Sequence, residues 1–396
     1  MRTLPMHGAP PDDAPGGLPL LAKGFRPFFL LAAGLAATLA PAWLLVLEGR
    51  AHLDAYVDST AWHGHEMIFG FTVAVVAGFL LTAVENWTGL PTARGVWLSL
   101  LAALFVAGRV VFVLPGLPRA LVAGLDLAFL PALAFAVGRP LALTRNRRNF
   151  VMVAALLLLF ALDLAFHLGL RRPALVGAVD VIVLLVVLIS ARVFPMFTRN
   201  ATGDANIRSR PKADILAALC VAVLALIDVA VPGAPALLVA GFALFAAGVL
   251  VVRAWHWGAR SSLGDPMLWI LHAANAWIVL GLVLRAVSVL APGSVPPSAA
   301  LHAWTAGAIG SSTLGMMARV ALGHTGRRIA ASRVTRVAFA LVTFAGLART
   351  FGPIAGASFW RLSLLAAGTA WACAFLAYLV TYAAPLVRAR ADGKPG

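Results

Sequence analysis

Apolar stretches long enough to cross a hydrocarbon core of about 30 Å follow one another along the whole chain. They lie at roughly 27–47, 63–85, 95–114, 119–138, 150–170, 174–195, 213–231, 235–256, 267–290, 298–322, 334–349 and 359–385. Lipid offers no partner to a bare backbone amide, so only helices or closed barrels can span it. Runs of this length exceed the ten or so residues of a barrel strand. The expected fold is therefore an all-α polytopic membrane protein with about twelve transmembrane helices. Composition agrees: 61% apolar residues, 12% charged residues and a mean hydropathy of +0.92 do not describe a water-soluble domain of this size.

Charge gives the topology. Most of the 31 Lys and Arg fall in the N-terminal arm, the loops joining even to odd spans and the C-terminal tail. The opposite loops and their edges hold Arg50, Arg119, Arg171, Arg172, Arg349 and Arg361. By the positive-inside rule both termini are expected in the cytoplasm, and the net charge of +16 reflects topology and anionic lipid rather than a nucleic-acid partner. Residues 1–23, rich in Pro and Gly and without a signal-peptide pattern, read as a disordered cytoplasmic arm. Residues 24–386 read as a single transmembrane domain and 387–396 as a cytoplasmic tail. Cys220 and Cys373 lie within spans, so neither a disulfide framework nor a Cys-x-x-Cys-His haem attachment is available. Ala191-Arg192-Val193 with Thr198 matches Ala318-Arg319-Val320 with Thr325 at equal spacing, a faint internal echo.

Polar residues within apolar spans cost free energy unless they pair or ligate, so they mark candidate sites. Trp62-His63-Gly64-His65-Glu66-Met67 opens the second span from outside, and His302 lies about one turn into the tenth. Imidazole, thioether and carboxylate suit copper, haem iron or zinc. His63, Glu66 and Met67 share a helical face by their three- and four-residue spacing; His65 joins them only if the first turn is irregular, which Gly64 permits. His63 or His65, with His302, is the expected ligand set. Beneath them, Asp126, Asp163 and Asp180 lie at one depth with Arg109 and Arg285, as helix-locking ion pairs or as part of a site. An inner layer collects Arg26, Arg192 and Arg319 at cytoplasmic helix ends, with Asn86, Arg199, Asn200, His324 and Arg327 in adjoining loops. Arginines in that setting either snorkel or hold a carboxylate or phosphate, such as a haem propionate. His272, bracketed by Trp269 and Trp277, is a candidate haem or metal ligand, as is His324.

Five strings carry a resemblance: Gly24-Phe25-Arg26-Pro27-Phe28-Phe29, Trp62 to Met67, Gly78-Phe79-Leu80-Leu81-Thr82-Ala83 with Asn86-Trp87-Thr88-Gly89, Arg192 to Asn200, and Leu301-His302-Ala303 running to Met317 through Arg327. In this order they resemble the NnrS family over residues 24 to about 328. Glu85 stands where the family's Pro is expected before Asn-Trp-Thr-Gly. The resemblance implies a haem- and copper-containing bacterial inner-membrane protein of the nitric oxide response. His63, His65, His272, His302 and His324 occupy matching motif positions, as do Arg26, Arg192 and Arg319; which of them hold iron and which copper stays open. The haem would be non-covalent and of b type.

The functional expectation is binding and consumption of nitric oxide, an apolar gas that partitions into lipid, with Glu66 relaying protons and an unidentified donor supplying electrons. Two other classes fit the same sequence. One is a secondary transporter of a metal or metal–nitrosyl species, for which inverted repeats and broken helices at midplane would speak; the other is a haem-binding sensor or assembly partner without turnover.

Overall fold

The computed structural model describes residues 17–53, 56–231 and 233–394, so the expected N-terminal arm lies outside the described residues up to position 16. Among the described residues the chain is helical throughout, without a strand. We label the long helices α1 (Phe25–Leu47), α2 (Ser59–Thr88), α3 (Gly95–Val111), α4 (Arg119–Leu143), α5 (Phe150–His167) and α6 (Arg171–Thr202). There follow α7 (Pro211–Ala230), α8 (Ala236–Ala254), α9 (Pro266–Leu290), α10 (297–324), α11 (Arg333–Phe351) and α12 (Ala357–Val387).

Their ends carry sequence-encoded stops and starts. Asp58, Asp265 and Ser332 accept hydrogen bonds from the first-turn amides of α2, α9 and α11. Pro211, Pro266 and Pro297 occupy first helical positions, where a missing N–H costs nothing. Gly89 and Gly203, both with φ near +70°, end α2 and α6 in the left-handed conformation that glycine adopts freely.

Among the described residues ten helices are long and apolar enough to cross a membrane, which makes this a multi-pass membrane protein. The two remaining rods, α3 and α10, account for the difference from the expected twelve. Seventeen residues of α3 rise only about 25 Å, because the apolar run predicted to reach 114 stops being helical after Val111. In α10 the hydropathy is diluted by Ser311, Ser312, Thr313 and Arg319, all of them buried against protein.

Burial separates the interior helices from the lipid-facing ones. The most apolar stretch of α2 is 83% buried and that of α7 only 22%, so α2 is an axis of the bundle and α7 part of its wall. Around α2, α1 packs on α12, α12 on α11, α11 on α10, α10 on α9, and α9 on α8. Between α9 and α10 the packing is reciprocal. A Cβ at Gly307 would come within 2.4 Å of the Trp277 indole, and one at Gly281 within 2.3 Å of the Trp304 indole. Each helix thus seats its neighbour's indole over a glycine, and Trp304 Nε1 donates to the Ile278 carbonyl at 3.1 Å.

Both α2 and α10 contain a π-helical segment, Glu66–Thr72 and Ala303–Ile309. Each begins directly after a histidine of the outer layer, His65 in one and His302 in the other. Single π turns are rare and concentrate at functional positions, since the extra residue re-aims the side chains on either side of it.

Candidate functional site

Two residues of helix correspond to about 200° of rotation, so His63 and His65 point to opposite faces of α2. The irregularity that would bring them together is present, but it begins at Glu66, after both histidines; Gly64 is helical and lies against Leu175. Two polar sites result, one on each side of the helix.

On one side is a cavity of about 910 Å³, lined mainly by apolar side chains. Its polar or sulfur-bearing lining includes His63, Met67, His302, Asp228, Arg285 and Arg349, with Asp58, Arg171 and Arg172 as further charged members. His63 stacks flat on Trp43, centroids 4.8 Å apart, and its buried Nδ1 has no hydrogen-bond partner among the described residues. His302 Nδ1 donates to the Ser298 carbonyl at 2.7 Å, which leaves Nε2 as the free lone pair. That arrangement, one ring nitrogen oriented by a carbonyl and the other available, is how a metal-ligating histidine is held. Arg349 forms no ion pair among the described residues, and its charge acts on both imidazoles. In the wall, Arg285 binds Asp228 through both guanidinium nitrogens.

On the other side His65 is fully buried, stacked on Phe112 at 4.3 Å and packed on Phe69 and Phe166. Its Nε2 lies 3.0 Å from Asp163 Oδ1 and 3.1 Å from Asp126 Oδ2. His167 Nε2 approaches the same two carboxylates, at 2.9 Å from Asp126 Oδ2 and 3.9 Å from Asp163 Oδ1. Arg109 bridges Glu66 Oε1, at 2.6 Å, and Asp126. A Cβ at Gly70 would meet Glu66 Oε2 at 3.2 Å and Arg109 Cδ at 3.4 Å, so glycine makes room for that bridge. Helices α2, α3, α4 and α5 each contribute, and the residues lie up to 102 positions apart in the numbering.

A family model described as NnrS protein matches residues 19–390, nearly the whole chain. The chain belongs to the NnrS family. No curated protein matches it.

In this NnrS family member the expected site residues are distributed as follows. His63, His302 and Met67 share the cavity, whereas His65, Glu66 and Arg109 belong to the second cluster; Glu66 does not line the cavity. Arg285 faces the cavity but is paired with Asp228. The inner-layer candidates lie in separate surroundings, except that Arg26 and His324 both pack on Phe25. His272 Nε2 is 2.9 Å from the Thr198 hydroxyl, and His324 lies beside Phe25, ring centroids 5.6 Å apart. Arg26 donates to the carbonyls of Leu386 and Arg388, at 2.9 and 2.7 Å. Arg192 donates to Asn149 Oδ1 at 2.8 Å. Arg319 donates to the Met267 carbonyl at 3.2 Å and lies over the Phe197 ring, while Asn200 is exposed. Glu85, the departure from the family's Pro, pairs with Lys23 at 3.4 Å and with Arg94. The tail folds back on this end: Arg390 Nη1 donates to the His324 carbonyl at 2.9 Å, as does the Ala391 amide to that of Thr325. Outside the membrane, Asp392 is held down to about 2 by its hydrogen bond from Arg390.

Sequence reading did not single out His167, Tyr56, Asp228 or Arg349. His167 follows Asp163 by one helical turn on α5, a spacing that a search for paired ligands finds. Asp228 and Arg349 carry only the general signal of a charge in or at the end of an apolar span, and the fold alone brings α7 and α11 to the cavity.

Proposed function

We propose that this NnrS family member binds nitric oxide at haem and copper within the cavity between α2 and α10 and consumes it by reduction, protecting the cell against nitrosative stress. The observation that carries the reading is the pair His63 and His302 in one buried, largely apolar cavity, the second with Nδ1 oriented by Ser298 and Nε2 free. The cavity is of the size that cofactor sites have. His302 Nε2 is the nitrogen suited to haem iron; His63 and Met67, one turn apart on α2, supply the imidazole and thioether that copper(I) prefers. When bound, haem and copper supply the centres at which nitric oxide is held and to which an external donor delivers electrons.

The chain's own residues do the rest. The apolar walls admit a gas that prefers lipid and keep water from competing with it. Arg349 places a positive charge where negative charge develops on reduction, or where a haem propionate needs a partner. Proton delivery, expected of Glu66, falls instead to Asp228. Its carboxyl lines the cavity, where Arg285 holds it in place. Glu66 is engaged by Arg109 and His65 on the far side of α2.

We place the site in the bacterial inner membrane, with all twelve helices crossing and both termini cytoplasmic; α10 reaches across because neighbouring helices, not lipid, cover its polar parts. Steady-state nitric oxide consumption by the purified protein with an artificial reductant tests the reading. Consumption that His302→Ala abolishes supports it. Stoichiometric haem with no consumption would leave a sensor, and no haem at all would favour a transporter.

A further inference from the structure

The cluster on the opposite face of α2 has a chemistry of its own. His65, Asp126, Asp163 and His167 each offer one ligand atom, and these four atoms all lie within 4.8 Å of one another. Ligands held about 2.1 Å from a common metal ion sit about 3.0–3.4 Å apart along an edge and about 4.2 Å apart when opposite. Of the distances between imidazole nitrogens and carboxylate oxygens, 2.9, 3.0 and 3.1 Å are close to an edge and 3.9 Å lies between the edge and opposite values.

Both imidazoles are supported from behind. His65 Nδ1 lies 3.2 Å from Glu66 Oε1 and 3.5 Å from Arg109 Nη1, while its Nε2 faces two carboxylate oxygens. His167 repeats the pattern with Tyr56: Nδ1 is 3.4 Å from the phenol oxygen, and Nε2 faces the same two carboxylates. Carboxylate or hydroxyl behind one ring nitrogen, with the other converging on acidic oxygens, is the outer support that metal-binding histidines receive. Charge closes the argument. Glu66, Asp126 and Asp163 are buried with one cation, Arg109, among them. A divalent ion brings that buried group to neutrality, which a low-dielectric site demands.

We infer that His65, Asp126, Asp163 and His167 bind one divalent first-row metal ion, with Glu66 and Tyr56 orienting the two imidazoles. The donors are two nitrogens and two carboxylates without sulfur, so the ion is of the iron(II), manganese(II) or zinc(II) kind and not copper(I). It ties α2, α4 and α5 together behind the cavity wall. The inference does not depend on nitric oxide chemistry at His302.

The test uses the full-length protein in detergent, stripped with a chelator and then given iron(II), manganese(II) or zinc(II) singly, with bound metal measured by mass spectrometry after desalting. About one ion per chain is expected for at least one of the three, with a higher melting temperature than the stripped protein. His167→Gln and Asp163→Asn should lose stoichiometric binding. Tyr56→Phe, which keeps all four ligands and the packing, should weaken affinity about 10–100-fold. No uptake of any of the three by the wild type overturns the inference, as does wild-type affinity in Tyr56→Phe together with either ligand variant. Haem content recorded on the same samples separates this outcome from failure of the cavity reading, since His302→Ala should lose haem and keep the divalent ion.

Discussion

The two faces of α2 place histidines two residues apart in opposite chemical settings. On the His63 face the imidazoles have free nitrogens, Arg349 forms no ion pair among the described residues, and open volume separates the groups. On the His65 face the polar atoms are in mutual contact, four helices meet, and aromatic rings close over the histidine. The first arrangement can receive a large ligand and react with it; the second can hold at most an ion and is built to stay fixed. A short motif that looks like one site is thus divided between two settings, and the helix that carries it is the partition between them.

Four substitutions would break or sharpen this contrast. The largest effect is expected on the closed face. Arg109→Ala strips the cation from Glu66 and Asp126 and should destabilise the protein by about 3–5 kcal/mol, read by thermal or denaturant unfolding in detergent. Arg349→Ala, by contrast, should leave unfolding unchanged and lower haem retention, because no buried protein anion depends on it. If both behave alike, the two faces are not different in kind. Next comes Asp228→Asn, which keeps an acceptor for Arg285 but cannot release a proton. Nitric oxide consumption should fall about 100-fold, within the range for loss of a general acid, while the nitric oxide difference spectrum persists. Glu66→Gln should change turnover far less, and the reverse ranking would return the proton relay to Glu66.

The smallest effect lies at the inner end. The Asp392 carboxyl, held at about 2 by Arg390, stabilises the docked tail above the ordinary carboxylate range of about 4 and loses that contribution as pH falls toward about 2. Hydrogen exchange at the Ala391 amide, bonded to the Thr325 carbonyl, should quicken over that interval, and Asp392→Asn should show the faster rate already at neutral pH.

Much of this architecture is legible in the chain. Helix positions follow from apolar runs and from caps such as Asp58 and Ser332, and the matching depth of Asp126, Asp163 and Arg109 foretells their contact. Membrane crossing is less so: α10 carries polar residues buried against protein and falls outside the ten helices apolar enough to span. The partition of the histidines is written in the 3.6-residue period, yet depth alone groups His63 with His65. The cavity's Arg349 and Asp228 come from α11 and α7, far along the chain and without motif, and only packing reveals them. The inner-layer arginines illustrate the reverse: charge and position suggest a ligand, while Arg26 and Arg319 bind backbone carbonyls that the sequence does not announce.

The central claim is that α2 separates a haem cavity from a divalent-ion cluster. The most direct test is the visible absorption spectrum, with and without nitric oxide, of purified wild type, His302→Ala and His167→Gln, alongside their metal content. The account predicts a haem spectrum that responds to nitric oxide in the wild type and in His167→Gln, and its loss in His302→Ala. Full haem and copper content with an unchanged nitric oxide difference spectrum in His302→Ala would contradict it.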